Sequence, residues 1–492
     1  MIALAVALPL LAAFLLPLTG PLRRIVGPAT LLLVAATAFS AWPRAQVEPF
    51  TVAIGGFRPP LGILFYVDGV ALLFVLAVAF SCLLLWPWNE AAGSRKHALT
   101  LLLAAGCSGL ALSGDLFNIY VFYELVAVAS YGLAAGAGSG RAYAAAFRYL
   151  VLSSLGSLLA LVGIALVYHR TGTLNLAHLG ELAPTLLNDP LGLAAFLLLL
   201  LGLGVKAELF PVNAWVPEVY AGAERRVSAL LAGLVSKLAV LVLVRLLVLV
   251  FPTDEARTAL LLLGTLGILS GELAAYRARD LARLLSWSSI GQLGIVFVAF
   301  AVPGEAGLVA GLAVALHHLV AKPALFLLAE RWGGSLESLT GAGRRSPLAG
   351  ALFVLFALSL IGVPPLPGFW AKFLVLSGLA AQEGGLWWAA AAVILATTVV
   401  EASYLFRVVG RLYARDADGA TAPHATGPLT GAAVLGLVLI LGGASAGPLG
   451  DALGHMAAQA ADRAAYLGRV LPVRTIERPG TLTLNAAPEA RP

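Results

Sequence analysis

Long apolar stretches alternate with short polar segments along almost the whole chain. Stretches of about 18 or more residues with few charges are typical of helices that cross a membrane. Their apolar residues are continuous rather than alternating, which argues against a β-barrel. We therefore predict an all-α polytopic membrane protein of about fourteen transmembrane helices, over residues 2–18, 27–43, 63–88, 98–113, 115–135, 145–168, 191–219, 227–250, 257–276, 285–301, 306–331, 348–380, 386–410 and 430–447.

Two of the predicted helices contain proline-rich breaks. The seventh carries Pro211 and Pro217, and the twelfth carries Pro364, Pro365 and Pro367. Unwound backbone at membrane depth is tolerated where protein or water satisfies it, as in transporters built from inverted repeats. We therefore predict two inverted five-helix repeats, helices 4–8 and helices 9–13, in which helices 7 and 12 are discontinuous. Simple proline kinks are the alternative.

This pattern divides the chain into five parts. We predict that 1–97 holds transmembrane helices 1–3, that 98–250 and 251–410 are the two five-helix repeats, that 411–449 holds the last transmembrane helix with its preceding loop, and that 450–492 is an external polar tail. Within the tail, the stretch DALGHMAAQAADRAAYLGRVL is expected to form a short amphipathic surface helix. The end, RPGTLTLNAAPEARP, is expected to be disordered.

Charge fixes the expected orientation. The chain is 60% hydrophobic and only 11% charged, against about 25% charged residues in a soluble protein. Its basic residues concentrate in the odd-numbered loops and helix ends, and the even-numbered loops hold only Arg44, Arg58, Arg170 and Arg257. The positive-inside rule then makes the odd loops cytoplasmic and both termini external. We expect a multi-pass protein of the bacterial cytoplasmic (inner) membrane, and the arginine positions explain the net charge of +6 without a nucleic-acid partner.

Lysine is used differently from arginine in this chain. Of 31 basic residues only five are lysines, and four of these, Lys206, Lys237, Lys322 and Lys372, lie inside apolar stretches. Arginine is effectively always protonated, whereas a buried lysine can give up its proton. The partition indicates sites that need an amine able to deprotonate. Snorkelling lysines or fixed ion pairs are the alternative.

Other ionisable residues accompany the lysines. Glu124 lies in the middle of an apolar helix, so it must pair across helices or be protonated. His318 and Lys322 are four residues apart and share a helix face, a plausible proton relay. His317 points elsewhere and is read as a core or cavity histidine. Glu208 is expected either to pair with a charge at the cytoplasmic end or to modify Lys206. No third ligand accompanies the two histidines, so no metal site is predicted.

Several segments resemble a known family. They are SGDLFNIYVFYELVAVASYGL, YLVLSSLGSLLALVGIALVYHRTGTLNLAHL, GVKAELFPVNAWVPEVY, VSALLAGLVSKLAVLVLVRL, RDLARLLSWSSIGQLG, HHLVAKPALFLLAE and PPLPGFWAKF. Together they are similar to the antiporter-like proton-translocating subunits of respiratory complex I, membrane-bound hydrogenases and Mrp-type cation/proton antiporters. GDLFN and the YLVLSS…TGTLNLAHL segment look most like the D-type subunit of Mrp antiporters.

The resemblance implies a role for each buried ionisable residue. The helix-5 glutamate of the family falls on Glu124 and the helix-7 lysine on Lys206, an expected pair whose opening and closing accompanies proton movement. The resemblance further implies that a hydrated central axis is formed by Lys237, His318 and Lys322, and that Lys372 guards an exit. Glu208 is unusual for the family.

The expected function follows from this resemblance. It implies a proton-translocating subunit without a cofactor or catalytic chemistry of its own, working with other membrane subunits of a larger complex. The first interpretation is Mrp-type monovalent cation/proton antiport, in which any Na⁺ passes elsewhere in the complex. The alternative is a proton-pumping membrane-arm subunit of a membrane-bound hydrogenase or complex I-like redox enzyme. A membrane scaffold without transport is a third possibility.

Overall fold

A computed structural model describes residues 1–57, 59–60, 62–88, 94–332, 334–415 and 429–471. Helices dominate it. In chain order they are α1 (Leu4–Leu15), α2 (Arg23–Val47), α3 (Gly69–Leu84), α4 (Ser94–Leu112), α5 (Leu116–Ala135), α6 (Gly140–Thr171), α7 (Leu176–Leu186), α8 (Pro190–Gly204), α9 (Val216–Gly222), α10 (Arg225–Leu230), α11 (Ser236–Leu249), α12 (Asp254–Arg277), α13 (Leu281–Ala301), α14 (Gly304–Trp332), α15 (Ala342–Arg345), α16 (Pro347–Ile361), α17 (Pro367–Ala380), α18 (Gly385–Tyr413), α19 (Thr430–Ala444), α20 (Ala446–Ala461) and α21 (Arg463–Val470). Short 3₁₀ turns cover Leu16–Leu18, Gly20–Leu22 and Glu337–Leu339, and a π-helical turn covers Leu231–Val235.

The helices are those of a membrane protein. Among the described residues, eight are long and apolar enough to cross a bilayer, or ten if each of two sharply bent pairs counts as one span. One pair joins Glu337–Arg345 to Pro347–Ile361, and the other joins Thr430–Ala444 to Ala446–Ala461. The predicted class, a polytopic helical membrane protein, is confirmed.

The third predicted helix starts later than expected. Residues Phe50–Ala53 (β1) and Leu64–Val67 (β2) pair as a small antiparallel hairpin, with Phe50 opposite Val67. Helix α3 begins only at Gly69, because the Asp68 carboxylate caps it by accepting a 2.7 Å hydrogen bond from the Ala71 amide. All four residues of β2 are buried, and a short, fully buried strand cannot be told from a buried helix by its apolar pattern.

Both predicted breaks are present. Helix α8 ends at Gly204, and no α-helix forms again until Val216. The side chains of Trp215 and Asn213 donate to the carbonyls of Val205 and Glu208 at 3.0 and 3.2 Å, which satisfies part of the unwound backbone. Helices α16 and α17 are likewise separated by the proline segment 362–366.

Two further helical regions lie outside the long apolar helices. Helix α7 was not predicted; the Asn175 side chain caps it by accepting from the Ala177 and His178 amides. In the tail, α20 and α21 occupy the stretch predicted to be helical, and Arg463 of α21 donates to the Leu249 carbonyl at 3.0 Å. The predicted disorder of 478–492 lies outside the described residues.

The centre of the protein is formed by α10–α11, α13 and α14. All residues of the apolar 18-residue stretch within Arg225–Leu249 are buried, and 94% of those in the corresponding stretch of Leu281–Ala301 are buried. In Gly140–Thr171, at the periphery, the buried share is 39%. Helices α12 and α13 pack closely, since a Cβ on Gly294 would lie 2.6 Å from the Gly264 carbonyl oxygen. Lys237, His318 and Lys322, which lie on these helices, are therefore enclosed by protein.

Candidate functional site: a line of buried ionisable side chains

The first cluster lies beside the unwound end of α8. Lys206 is 1% exposed. Its Nζ donates to the Ser153 hydroxyl at 2.8 Å and lies 3.5 Å from the centroid of the Tyr123 ring. Glu124 accepts a hydrogen bond from Ser157, one turn after Ser153 on α6. In this structure the two predicted partners, Glu124 and Lys206, therefore contact two serines of one helix instead of each other.

Glu208 follows within the same unwound segment. It is the one non-glycine residue with positive φ among the described residues, at 59°, and its side chain is buried. Its Oε1 accepts a 2.7 Å hydrogen bond from the Tyr220 hydroxyl, whereas its Oε2 has no hydrogen-bond partner among the described residues. Among the described residues, Glu208 forms no hydrogen bond or ion pair with Lys206 or with a charge at the cytoplasmic end, because its side chain turns towards α9 and the protein interior.

The second cluster joins α11 to α14. The buried Lys237 ammonium donates to the Ser236 hydroxyl at 3.0 Å and to the Ala232 carbonyl in the π-helical turn, and it is in hydrogen-bond contact with His318 Nδ1. The close approach depends on Gly233, since a Cβ there would lie 2.3 Å from Cγ of Pro323. π-Helical turns often occur at functional sites.

The contact with Lys237 constrains the His318 ring. When the ammonium donates, His318 Nδ1 must be an unprotonated acceptor, which leaves the ring proton on Nε2. Nε2 faces the Ser289 hydroxyl at 3.4 Å. Four residues further, Lys322 Nζ donates to the Ser288 hydroxyl at 2.6 Å and to the Leu285 carbonyl at 3.4 Å. His318 and Lys322 thus both face α13.

His317 faces a different part of the protein. Its Nε2 lies 2.9 Å from the Ser359 hydroxyl on α16, and its Cε1 would lie 3.0 Å from a Cβ placed on Gly368. Like His318 it is buried, but it contacts the last turn of α16 and the first turn of α17. It therefore belongs to the broken-helix region and is separate from the Lys237 cluster.

The third cluster surrounds Lys372 on α17. Its Nζ forms a buried ion pair with Glu401 Oε2 at 2.7 Å and also contacts the Thr398 hydroxyl and the Ile361 carbonyl, both at 3.3 Å. The second Glu401 oxygen accepts from the Gln292 amide at 2.7 Å. Sequence reasoning assigned Glu401 no role, although, like Glu124, it is a carboxylate within an apolar helix.

Glu272 lies on α12, and its closeness in the sequence to Arg277 and Arg279 predicts a pairing with those arginines. Instead, its Oε2 accepts a 2.8 Å hydrogen bond from the Tyr404 hydroxyl on α18. The side chain is 2% exposed and turns towards the helix interface, because α12 carries it on the face packed against α13 and α18.

Comparisons with known proteins agree with this architecture. Residues 113–399 match the model of the family described as NADH:quinone oxidoreductase/Mrp antiporter, transmembrane. The chain belongs to this family. It is 32% identical to the N-type subunit of the NADH-quinone oxidoreductase of Desulforudis audaxviator over 83% of this chain and 86% of that protein. It is also 32% identical to the D-type subunit of the Na⁺/H⁺ antiporter of Bacillus subtilis, over 68% of this chain and 70% of that protein.

Chains of solved membrane complexes have the same fold. A chain of the archaeal membrane-bound sulfane sulfur reductase superposes with a TM-score of 0.88 and 31% identity, covering 96% of this chain and 99% of the other. A chain of the Mrp complex from a Dietzia species gives 0.86 and 27%, with the same coverage. This member of the family is accordingly an antiporter-like membrane subunit.

Proposed function

We infer that this subunit translocates protons through a multisubunit membrane complex along Glu124, Lys206, Lys237, His318, Lys322 and Lys372, with Glu208 and His317 as auxiliary groups. The observation that carries this proposal is the direct contact of Lys237 Nζ with His318 Nδ1. Each group can carry the proton that lies between them, and no carboxylate among the described residues is in hydrogen-bond contact with either one. A proton shared in this way can be passed on, whereas a fixed ion pair holds it.

The acceptors of the other lysines support the same function. Lys206 and Lys322 donate to serine hydroxyls. Of the four buried lysines, only Lys372 forms an ion pair with a carboxylate among the described residues. Hydroxyl groups both donate and accept, so they relay a proton instead of trapping it. Arginine at these positions would remain protonated.

The arrangement in the membrane is part of the proposal. We take the chain to cross a bacterial cytoplasmic membrane about fourteen times, with cytoplasmic odd loops and external termini. This count requires further helices to cross as well, among them the shorter apolar helices α1, α3 and α8. The proposed units remain 1–97, 98–250, 251–410, 411–449 and 450–492, and the inverted repeats are supported by the two breaks, each beside a buried lysine.

Two kinds of complex could contain such a subunit. The first is Mrp-type exchange of a monovalent cation for protons, in line with the B. subtilis relative. The second is a redox-driven proton pump, which the longer match to the NADH-quinone oxidoreductase relative and the sulfane sulfur reductase chain favour. In both, partners are other membrane subunits, and redox chemistry or Na⁺ passage belongs to them. Purifying the native complex and identifying its subunits distinguishes the two.

Proton translocation itself is tested in liposomes that contain the intact complex and a trapped pH-sensitive dye. Lys237→Ala should abolish proton movement. Lys96→Ala is the matched control, because Lys96 lies near the surface in an ion pair with Glu224 and outside the buried line. Unchanged proton movement in a correctly assembled Lys237→Ala complex would overturn the proposal.

A further inference from the structure

Glu272 is a buried carboxyl group that is not part of the proposed proton path. Its Oε2 accepts from Tyr404, but Oε1 has no hydrogen-bond partner among the described residues although it is fully buried. A buried carboxylate oxygen without a donor is costly. The cost is smaller when the carboxyl group carries a proton, because a carboxylic acid loses far less on burial than a carboxylate.

The packing of α12 against α13 makes room for this group. A Cβ on Gly291 would lie 2.2 Å from Glu272 Oε1 and 2.8 Å from its Cδ. At the residue before Glu272, a Cβ on Gly271 would lie 2.4 Å from the Gly291 amide nitrogen. The carboxyl group is therefore inserted where any side chain larger than glycine at position 291 would exclude it.

Glu401, the neighbouring carboxylate, is held differently. It lies one turn before Tyr404 on α18, and its two oxygens accept from Gln292 and from the Lys372 ammonium. Two donors, one of them charged, stabilise its ionised form. Glu272 has a single neutral donor. Two adjacent buried carboxyl groups do not both ionise readily, so their surroundings assign the proton to Glu272 and the negative charge to Glu401.

Two hydroxyl groups lie between Glu272 and the central lysine. The Tyr404 hydroxyl donates to Glu272 and lies near the Ser288 hydroxyl, which accepts from Lys322 Nζ. The charged groups facing Glu272 are Lys322 from α14, Lys372 from α17 and Glu401 from α18.

We propose that Glu272 is a proton-holding residue that exchanges a proton with Lys322 through Ser288 and Tyr404. In the forward step the Lys322 ammonium gives a proton to the Ser288 oxygen, Ser288 gives its own to the Tyr404 oxygen, and Tyr404 gives its own to the Glu272 carboxylate. Lys322 becomes a neutral amine, Glu272 becomes a carboxylic acid, and both hydroxyl groups are regenerated. The inference rests on the proposed proton translocation.

The position of Glu272 suggests where the proton goes. It lies five residues before the end of α12 at Arg277, which corresponds to about 7.5 Å of helix. In the proposed orientation this end faces the cytoplasm. Glu272 is then the proton site of the second repeat nearest to the cytoplasmic surface, and it connects the central axis to that side.

The test uses the intact complex in liposomes with three variants, Glu272→Gln, Glu272→Asp and Tyr404→Phe. Glutamine preserves the shape of the side chain and still accepts from Tyr404, but it cannot carry the proton. Aspartate is shorter but can carry it. We expect Glu272→Gln and Tyr404→Phe to slow proton movement about a hundred-fold and Glu272→Asp to slow it less. A merely structural glutamate predicts the reverse order, with glutamine better than aspartate, and that order overturns the inference.

A spectroscopic measurement tests the protonation of Glu272 without relying on the transport rate of a variant. Infrared difference spectra of the wild-type complex should contain the carbonyl stretch of a protonated carboxylic acid that is absent in Glu272→Gln and kept in the control Glu305→Gln, which alters an exposed residue. A band that persists in Glu272→Gln overturns the assignment. Normal transport in Glu272→Gln together with loss in Lys237→Ala defeats this inference alone, whereas normal transport in both defeats the proposed function.

Discussion

Lys206 and Ser153 are joined by a 2.8 Å hydrogen bond across the gap between the unwound end of α8 and the buried face of α6. One turn further along α6, Ser157 donates to Glu124. The two serines therefore lie one turn apart on one helix, one beside Lys206 and the other beside Glu124. This arrangement places hydroxyl groups, which can rotate without moving the backbone, next to both proposed partners.

Replacing these serines should uncouple the pair. Ser153→Ala removes the hydroxyl acceptor of the Lys206 ammonium, and Ser157→Ala removes the donor to Glu124. We expect each to reduce proton movement in liposomes about ten-fold, since a hydrogen bond to a charged group contributes about 1.5–3 kcal/mol. Ser154→Ala is the control, because Ser154 is exposed on the same helix. Equal rates in all three variants would remove the serines from the path.

The Tyr123 ring supplies a second, separable contact to Lys206. Its hydroxyl donates to the Gly202 carbonyl at 3.0 Å, while its face lies 3.5 Å from the ammonium. Tyr123→Phe keeps the ring and should retain most proton movement, with a small loss of thermal stability. Tyr123→Leu removes a desolvated cation–π contact of about 2 kcal/mol and should lose both. Similar transport rates for the two variants would argue against a role for the ring.

The backbone at Glu208 stores strain that mutation can release. Its φ of 59° is in the left-handed region, where a side chain costs about 1–2 kcal/mol. Glu208→Ala and Glu208→Gly remove the same hydrogen bond to Tyr220, but only glycine relieves the strain. We expect the glycine variant to unfold at a higher temperature than the alanine variant, and both to translocate protons more slowly than wild type. An alanine variant as stable as the glycine variant would show that the backbone at position 208 is not strained.

The buried ion pair at Lys372 can be examined by a double substitution. Glu401→Gln leaves the Lys372 ammonium without its carboxylate partner, and breaking a buried pair costs about 3–5 kcal/mol. The double variant Lys372→Met/Glu401→Gln removes both charges, so we expect it to recover much of the melting temperature but not the proton movement. Recovery of transport in the double variant would show that the pair is structural only.

Much of this arrangement could be predicted from the sequence. The apolar stretches predicted the helical membrane class, and Pro211 and Pro364 indicated two breaks that the structure contains. The contrast between lysine and arginine singled out Lys206 and Lys237, both of which are buried. These signals are local: each depends on one residue type in an apolar neighbourhood.

The contacts between helices could not be predicted in the same way. Ser153 and Ser288 look like any other serine in an apolar helix, where the hydroxyl commonly bonds its own backbone, as Ser130 and Ser286 do here. Glu401 was visible as a buried carboxylate, but its pairing with Lys372 depends on how α17 and α18 face each other. A single sequence contains no information on that rotation, so the relay groups emerge only from the structure.

The strongest test of the lysines is their replacement by arginine. The chain places arginine at nearly all its basic positions, so arginine at a buried site tests whether charge alone is needed. Lys237→Arg keeps a positive charge and hydrogen-bond donors towards His318, but a guanidinium remains protonated in a protein. It can therefore fill the site without passing a proton on. We expect proton movement in Lys237→Arg to fall to the level of Lys237→Ala, while Lys96→Arg remains at the wild-type level. The assembly of each complex is checked by size-exclusion chromatography, because the larger guanidinium must fit beside the π-helical turn. If an assembled Lys237→Arg complex translocates protons normally, the lysine acts only as a fixed charge, and the proton must pass His318 by another route.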